Sequence, residues 1–260
     1  MAGRLRGAGA LGVLGFCCFL AMLELVPRVG LVSPRYLPPF SEIAGALVDE
    51  VALPGFWVAL ADTLQGWFLG LAIALVLGVG VGVLIGSVPV LREFTASTIE
   101  FLRPIPSVAL IPVAVLLFGA DLRSTLLLVI YAAFWQVIVQ VLYGVNDVDP
   151  VARDTALTYG LGRWARVRYV TWPTALPYVM TGLRLAAAVA LILAITAELI
   201  IGSPGLGNEI GVAQSGGAIA TMYALVIVTG LLGVLVNAGA RVLERWLLAW
   251  HPSVRREVAA

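Results

Sequence analysis

The sequence predicts an all-α integral membrane protein with six transmembrane helices, and three observations carry that expectation. Of 260 residues, 61% are hydrophobic and only 12% charged, with a mean hydropathy of +1.01; ordinary soluble domains carry about twice that share of charge. The charges mostly bound long apolar runs, and hydrocarbon about 30 Å thick takes roughly 20 residues of helix to cross. Arginine also concentrates in alternate connections, as the positive-inside rule requires of a multi-pass chain.

The first run, about Gly7 to Val26, follows Arg4 and Arg6 and ends at Pro27. A signal peptide shares that charge order, but its apolar core is shorter and a small-x-small cleavage site follows. Leu23-Glu24-Leu25-Val26 stands there instead, so an uncleaved anchor is expected. Glu24 lies within a turn of the helix end, where interfacial water reaches it. Between Arg28 and Gln65 the chain is broken by Pro34, Pro38, Pro39 and Pro54. There Ser41 is expected to cap a short amphipathic helix running to about Val51.

The second run, Trp67 to Val88, continues a series at intervals of four: Gly66, Gly70, Ala74, Gly78, Gly82 and Gly86. Such spacing stacks small residues on one face and lets another backbone approach closely. The third run, about Ile105 to Ala120, begins in Arg103-Pro104-Ile105-Pro106 and contains Pro112. Kinked backbone at membrane depth survives only under a cover of protein or beside a water-filled cavity, so this run is a candidate pathway wall. The fourth, roughly Thr125 to Tyr143, carries Tyr131, Gln136 and Gln140. The fifth, about Tyr178 to Ile201, is bracketed by Arg184 and Glu198, and the sixth, about Ala218 to Ala240, holds Thr229 and Asn237.

Six crossings put both termini on one side. Thirteen of the sixteen arginines fall on that side: Arg4, Arg6, Arg92, Arg103, Arg153, Arg163, Arg166, Arg168, Arg184, Arg241, Arg245, Arg255 and Arg256. Only Arg28, Arg35 and Arg123 fall on the other, which assigns both termini to the cytoplasm. With no internal repeat and no low-complexity tail, residues 1–260 read as one transmembrane domain.

Composition also excludes chemistries. There is no lysine, hence no GxxxxGK(S/T) phosphate loop and no Schiff base. The single histidine, His251, is near the C-terminus and expected to be solvated, and the only cysteines, Cys17 and Cys18, are adjacent in an apolar run and read as packing residues, so no zinc set can form. A net charge of +1 offers no nucleic-acid surface. An integral membrane enzyme is the rival class: a serine protease needs a base beside its nucleophile, and a metal-dependent transferase needs clustered aspartates that no run contains. An ATP-independent secondary transporter usually shows inverted repeats and midplane carboxylates, and neither is visible.

Between the fourth and fifth runs lie about 33 residues, roughly 144–177, too patterned for a simple linker. Asp149-Pro150 is a helix start and Gly160 the matching stop, predicting a helix over Pro150 to Tyr159 with Ala152, Ala156 and Tyr159 on one face. A second helix is expected from Arg163 to Trp172, ending before Pro173. Two readings of the pair are open: a lever that moves two spans together, or an amphipathic hairpin resting on headgroups.

Asp154-Thr155-Ala156-Leu157-Thr158-Tyr159-Gly160, continued through Pro173, resembles the EAAxxxG...P signature of bacterial ABC importer permeases. It departs at Asp154, where the signature has glutamate, and at Thr155, where it has alanine. Leu102-Arg103-Pro104-Ile105-Pro106, Leu117-Phe118-Gly119, Gly182-Leu183-Arg184-Leu185, Ala197-Glu198, Gly205-Leu206-Gly207 and Trp250-His251-Pro252-Ser253 are similar to motifs of the nitrate/sulfonate/taurine subgroup, extending the likeness from about Ser33 onward.

The resemblance implies a type I ABC importer permease in a bacterial inner membrane, paired into a dimer with a second copy. Each loop helix would dock on a cytoplasmic ATP-binding subunit, and an extracytoplasmic substrate-binding protein would deliver cargo such as an alkanesulfonate, taurine or nitrate. ATP and Mg would sit on the ATPase, with no cofactor in this chain. The coupling role falls to Asp154, Thr155, Ala156 and Gly160, with Pro173 setting the exit angle.

Glu198, Gly205 and Gly207 are assigned to an outer gate, although Gly202 to Gly207 also fits a plain reversal. Gln136 and Gln140, four apart, either line the passage or make interhelical hydrogen bonds. Arg184 and Glu198, 14 positions apart, are about 21 Å from each other on a straight helix and cannot pair, so Arg184 is expected to snorkel at the cytoplasmic edge.

Overall fold

The computed structural model describes residues 2–250, with side chains from 11 onward. Arg4 and Arg6, as side chains, and His251, Pro252, Ser253, Arg255 and Arg256 altogether, lie outside the described residues. In chain order the helices are α1 (Ala2–Arg28), α2 (Phe40–Ala52), α3 (Pro54–Ser87), α4 (Pro89–Leu102), α5 (Ile111–Phe118), α6 (Leu122–Asn146), α7 (Pro150–Thr158), α8 (Arg163–Arg166), α9 (Trp172–Ile201), α10 (Leu206–Ser215) and α11 (Ile219–Leu247). A 3-10 turn (Ser107–Leu110) leads into α5, and a π turn (Val167–Thr171) joins α8 to α9.

The core is a trio of α3, α6 and α9 built on small and β-branched residues, among them Ala74, Val129, Ala133, Val137, Val141, Ala186, Ala190 and Ala194. The small-residue ridge of α3 seats against a valine ridge of α6. A Cβ placed on Gly78 would lie 2.8 Å from Val137, on Gly82 2.8 Å from Val141, and on Gly86 2.9 Å from Val145. These pairs advance in the same direction along both helices, so α3 and α6 are parallel. On α9, Gly144 meets Ala175 and Tyr178 while Gln140 meets Gly182, so α6 and α9 run antiparallel.

Parallel α3 and α6 require one full crossing between them, and α4 with the Ser107–Phe118 segment supplies it. The two halves bend by 82° at the prolines. This crossing begins at Pro89, well before the expected Ile105, because Pro104 and Pro106 break a helix that starts earlier instead of opening one. The freed backbone finds side-chain donors on α6. The Tyr131 hydroxyl donates to the Leu102 carbonyl at 2.7 Å, and the Ser124 hydroxyl reaches the carbonyls of Gly119 (2.6 Å) and Ala114 (3.0 Å).

Further local expectations are set against the structure. Ser41 does not cap α2: Pro39 occupies the N-cap, and Ser41 instead donates its amide (2.8 Å) and hydroxyl (3.0 Å) to the Glu24 carboxylate, which also accepts from Arg28 at 2.7 Å. These protein donors add to the interfacial water expected around Glu24, whose side chain remains 28% exposed, and they tie α1 to α2.

The second loop helix does not end before Pro173. It runs through the π turn into α9, giving an unbroken helical stretch from Arg163 to Ile201. A proline has no amide and its ring clashes with the carbonyl four residues back; a wider turn moves that carbonyl aside and lets the helix continue. Arg184, expected to snorkel at the cytoplasmic edge, is 43% exposed and lies 3.6 Å from the Glu244 carboxylate of α11. Cys17 and Cys18, read as packing residues, are both exposed on α1, which stands beside the bundle and touches α2.

Candidate functional site

Two clusters stand at opposite ends of the bundle. At the end where α6 stops, α7 projects away from the trio. Asp149 starts it, its carboxylate accepting the Val151 amide at 2.8 Å with Pro150 in the first turn. A paired hydrogen-bond motif stops it: Gly160 takes φ +71°, its amide donates to Leu157 at 2.9 Å, and the Leu161 amide donates to Ala156 at 3.0 Å.

Ala156 is the one buried residue of α7. Asp154 and Thr155 are exposed, as are Val151 (71%), Tyr159 (80%) and, on α8, Trp164 (78%). A short, doubly capped helix thus presents apolar and polar side chains outward. Pro173 lies apart from them, in the first turn of α9.

The opposite end holds Glu198, 1% exposed in the last turn of α9. Its carboxylate accepts the Thr63 hydroxyl at 2.8 Å and the Gly207 amide at 3.0 Å, while the Thr63 oxygen accepts the Leu206 amide at 2.8 Å. Gly205 has φ +146°, and a Cβ there would sit 2.6 Å from Glu198 Oε1; a Cβ on Gly207 would sit 2.8 Å from the Leu199 nitrogen. Ser203 adds a further tie, 2.9 Å from Thr125 on α6. Beside this cluster a cavity of about 210 Å³ is lined by Asp62, Gln65, Ala120, Asp121, Leu122 and Pro204.

The fold therefore gathers Glu198, Gly205 and Gly207 into one unit, with Gly207 hydrogen-bonded to Glu198 and Gly205 packed against its carboxylate. Gln136 and Gln140 are elsewhere, half-buried where α6 faces Gly182, and neither amide hydrogen-bonds another described side chain. Thr63 was missed from sequence. The available signal was its register: Ala59, Thr63, Gly66 and Gly70 share the buried face of α3, which makes Thr63 a polar residue on the packing ridge.

A bundle of helices long and apolar enough to cross a membrane, with a capped helix projecting at one end and a hydrogen-bonded reversal at the other, defines a multi-pass membrane protein. The chain belongs to the family described as the binding-protein-dependent transport system inner membrane component, whose model matches residues 74–249.

Relatives include the taurine transport system permease protein TauC of Escherichia coli, 33% identical over 88% of this chain and 86% of that protein. The putative aliphatic sulfonates transport permease protein SsuC of Bacillus subtilis is 30% identical over 96% and 91%. The bicarbonate transport system permease protein CmpB of Synechococcus elongatus is 28% identical over 74% and 69%. Among solved structures, the inward-facing MetNI methionine ABC transporter shares the fold with a TM-score of 0.64 at 19% identity, covering 75% of this chain and 98% of that one. An amino acid ABC transporter shares it at 0.61 and 20%, covering 74% and 94%.

The chain is thus the transmembrane permease subunit of an ATP-driven ABC importer, of type I fold. Permeases of this family carry no ATPase site of their own, and membership implies an ATPase subunit and a substrate-binding protein as partners.

Proposed function

We propose that this permease works as a homodimer in a bacterial inner membrane, with both termini and α7 in the cytoplasm, and imports a small oxyanion. The observation that carries the reading is α7. A short helix capped at both ends, anchored inward by Ala156 and otherwise exposed, suits a peg that enters a groove on the ATPase.

Asp154, Thr155, Ala156 and Gly160 shape the peg. Pro173 acts at a distance, in the first turn of α9 directly after the π turn that keeps α8 and α9 in one helical stretch, so a load on α7 reaches the outer end of α9 through continuous helix. ATP and Mg would act on the partner, and nucleotide-driven closure would favour one of two permease conformations by differential binding. At the far end Glu198, Gly205 and Gly207 would form the outer gate, while Gln136 and Gln140 would face the passage or the partner copy.

The orientation is supported by Arg153, Arg163, Arg166, Arg168, Arg241 and Arg245 at the α7 end, against Arg28, Arg35 and Arg123 at the other. For cargo, taurine, aliphatic sulfonates and bicarbonate, named for the relatives, share a small size and an oxyanion group. The test is Gly160→Val, which leaves membrane insertion intact while the ATPase subunit no longer co-purifies. Normal co-purification and uptake would remove the peg. Identifying the ligand that co-purifies with the cognate binding protein tests the cargo.

A further inference from the structure

α10 begins without a cap of its own: its N-cap is Gly205, which has no side chain, and the first amides of a helix have no intrahelical acceptor. The acceptors come from two other helices. The Leu206 amide donates to the Thr63 hydroxyl oxygen of α3, and the Gly207 amide donates to the Glu198 carboxylate of α9. Thr63 also donates its own proton to Glu198, so one hydroxyl closes the triangle, with every member buried. Glycines with positive φ stand on both flanks of α10, Gly202 (+77°) and Gly205 (+146°) before it and Gly217 (+75°) after it. The helix is therefore joined to the spans through glycine turns, and the triangle ties its first turn to α3 and α9.

We propose that Thr63 is a positioning residue which, together with Glu198, caps α10 from outside and holds it down on the outer ends of α3 and α9. The cap stands on this geometry alone; its bearing on uptake rests on the gate reading above. Valine at position 63 keeps the shape but removes both the donor and the acceptor, leaving the buried Leu206 amide unpaired and Glu198 with the Gly207 amide as its remaining donor, whereas serine keeps both functions.

The experiment uses the full chain with Cys17→Ser and Cys18→Ser, and places a reporter at Ala213, 8% exposed on α10. In that background Ala213→Cys is labelled in cells by a membrane-impermeant maleimide applied from outside. Thr63→Val is expected to speed labelling about five- to tenfold, the scale of a lost helix cap acting on local opening, while Thr63→Ser labels at the original rate. Unchanged labelling in Thr63→Val overturns the proposal, as does equal acceleration in Thr63→Ser.

Should Thr63→Val fail to accumulate, hydrogen exchange of residues 203–210 in the unmodified protein decides. Protection matching the last turn of α9 supports the cap, and exchange as fast as an open helix end overturns it. Gating is judged separately, with radiolabelled taurine as the probe in the assembled complex. A Thr63→Val permease that labels fast yet shows unchanged ATPase turnover and uptake supports the cap and removes the gate.

Discussion

Gly78→Ala should destabilise the permease, although alanine is the better helix former. The added Cβ would stand 2.8 Å from both Cβ and Cγ1 of Val137, and 3.4 Å from the Ile138 backbone nitrogen. Carbon pairs settle at about 3.5–4.0 Å, so α3 and α6 must separate by roughly 0.7–1.2 Å at that point. Val137 cannot turn away, since a β-branched side chain in a helix has essentially one rotamer and its Cβ is itself the obstacle. Overpacking of this kind costs about 1–3 kcal/mol.

The control is Gly80→Ala on the same helix, where a new Cβ meets nothing within 4 Å. It should be neutral or slightly stabilising, through helix propensity. Unfolding in detergent, followed by titration with a denaturing surfactant, should separate the two variants. Adding Val137→Ala to Gly78→Ala should recover only part of the loss, because it removes Cγ1 and leaves Cβ. Equal midpoints for Gly78→Ala and Gly80→Ala would refute the parallel ridge pairing.

Gly205→Ala should be among the worst-tolerated changes at the Glu198 end of the bundle, since its Cβ would enter the Glu198 carboxylate at a backbone angle that disfavours side chains, whereas Gly217→Ala, with nothing within 4 Å, should show only the backbone strain of about 1 kcal/mol; thermal melts compare them. Glu198→Gln keeps an oxygen acceptor for Thr63 and Gly207 and should retain more uptake than Glu198→Leu; wild-type uptake by both Glu198→Gln and Gly205→Ala would remove the gate. Asp149→Ala should raise exchange of α7 amides by roughly fivefold, the scale of an N-cap worth about 1 kcal/mol, and Asp149→Asn should not. A double-mutant cycle on Arg184→Gln and Glu244→Gln should give a coupling below about 1 kcal/mol, as their side chains are 43% and 25% exposed and 3.6 Å apart.

Some features were legible because their causes are local. Asp149-Pro150 and Gly160 delimit α7 through capping chemistry that acts within a few residues, and the structure ends the helix within one residue of the expected Tyr159. The glycine series of α3 announced a close approach through its interval of four, since that period maps onto one helix face regardless of the partner. Ser41 and Pro173 misled because the local rule met a stronger distant one. The carboxylate of Glu24, 17 residues earlier, outbid the amides of α2 for Ser41, and a π turn absorbed the clash that would have ended a helix at Pro173.

Sequence alone determined that the chain crosses a bilayer, how many times, and which segment projects between the fourth and fifth spans. These follow from apolar length, charge placement and capping, quantities summed along the chain. Only the tertiary structure decided that the valines of α6 fill the ridge of α3, that Thr63 completes the cluster around Glu198, and that α10 is capped from two other helices. The Thr63 and Glu198 bond joins residues 135 positions apart. No periodicity encodes such a meeting; it arises when parallel and antiparallel packing of long helices brings their ends into register.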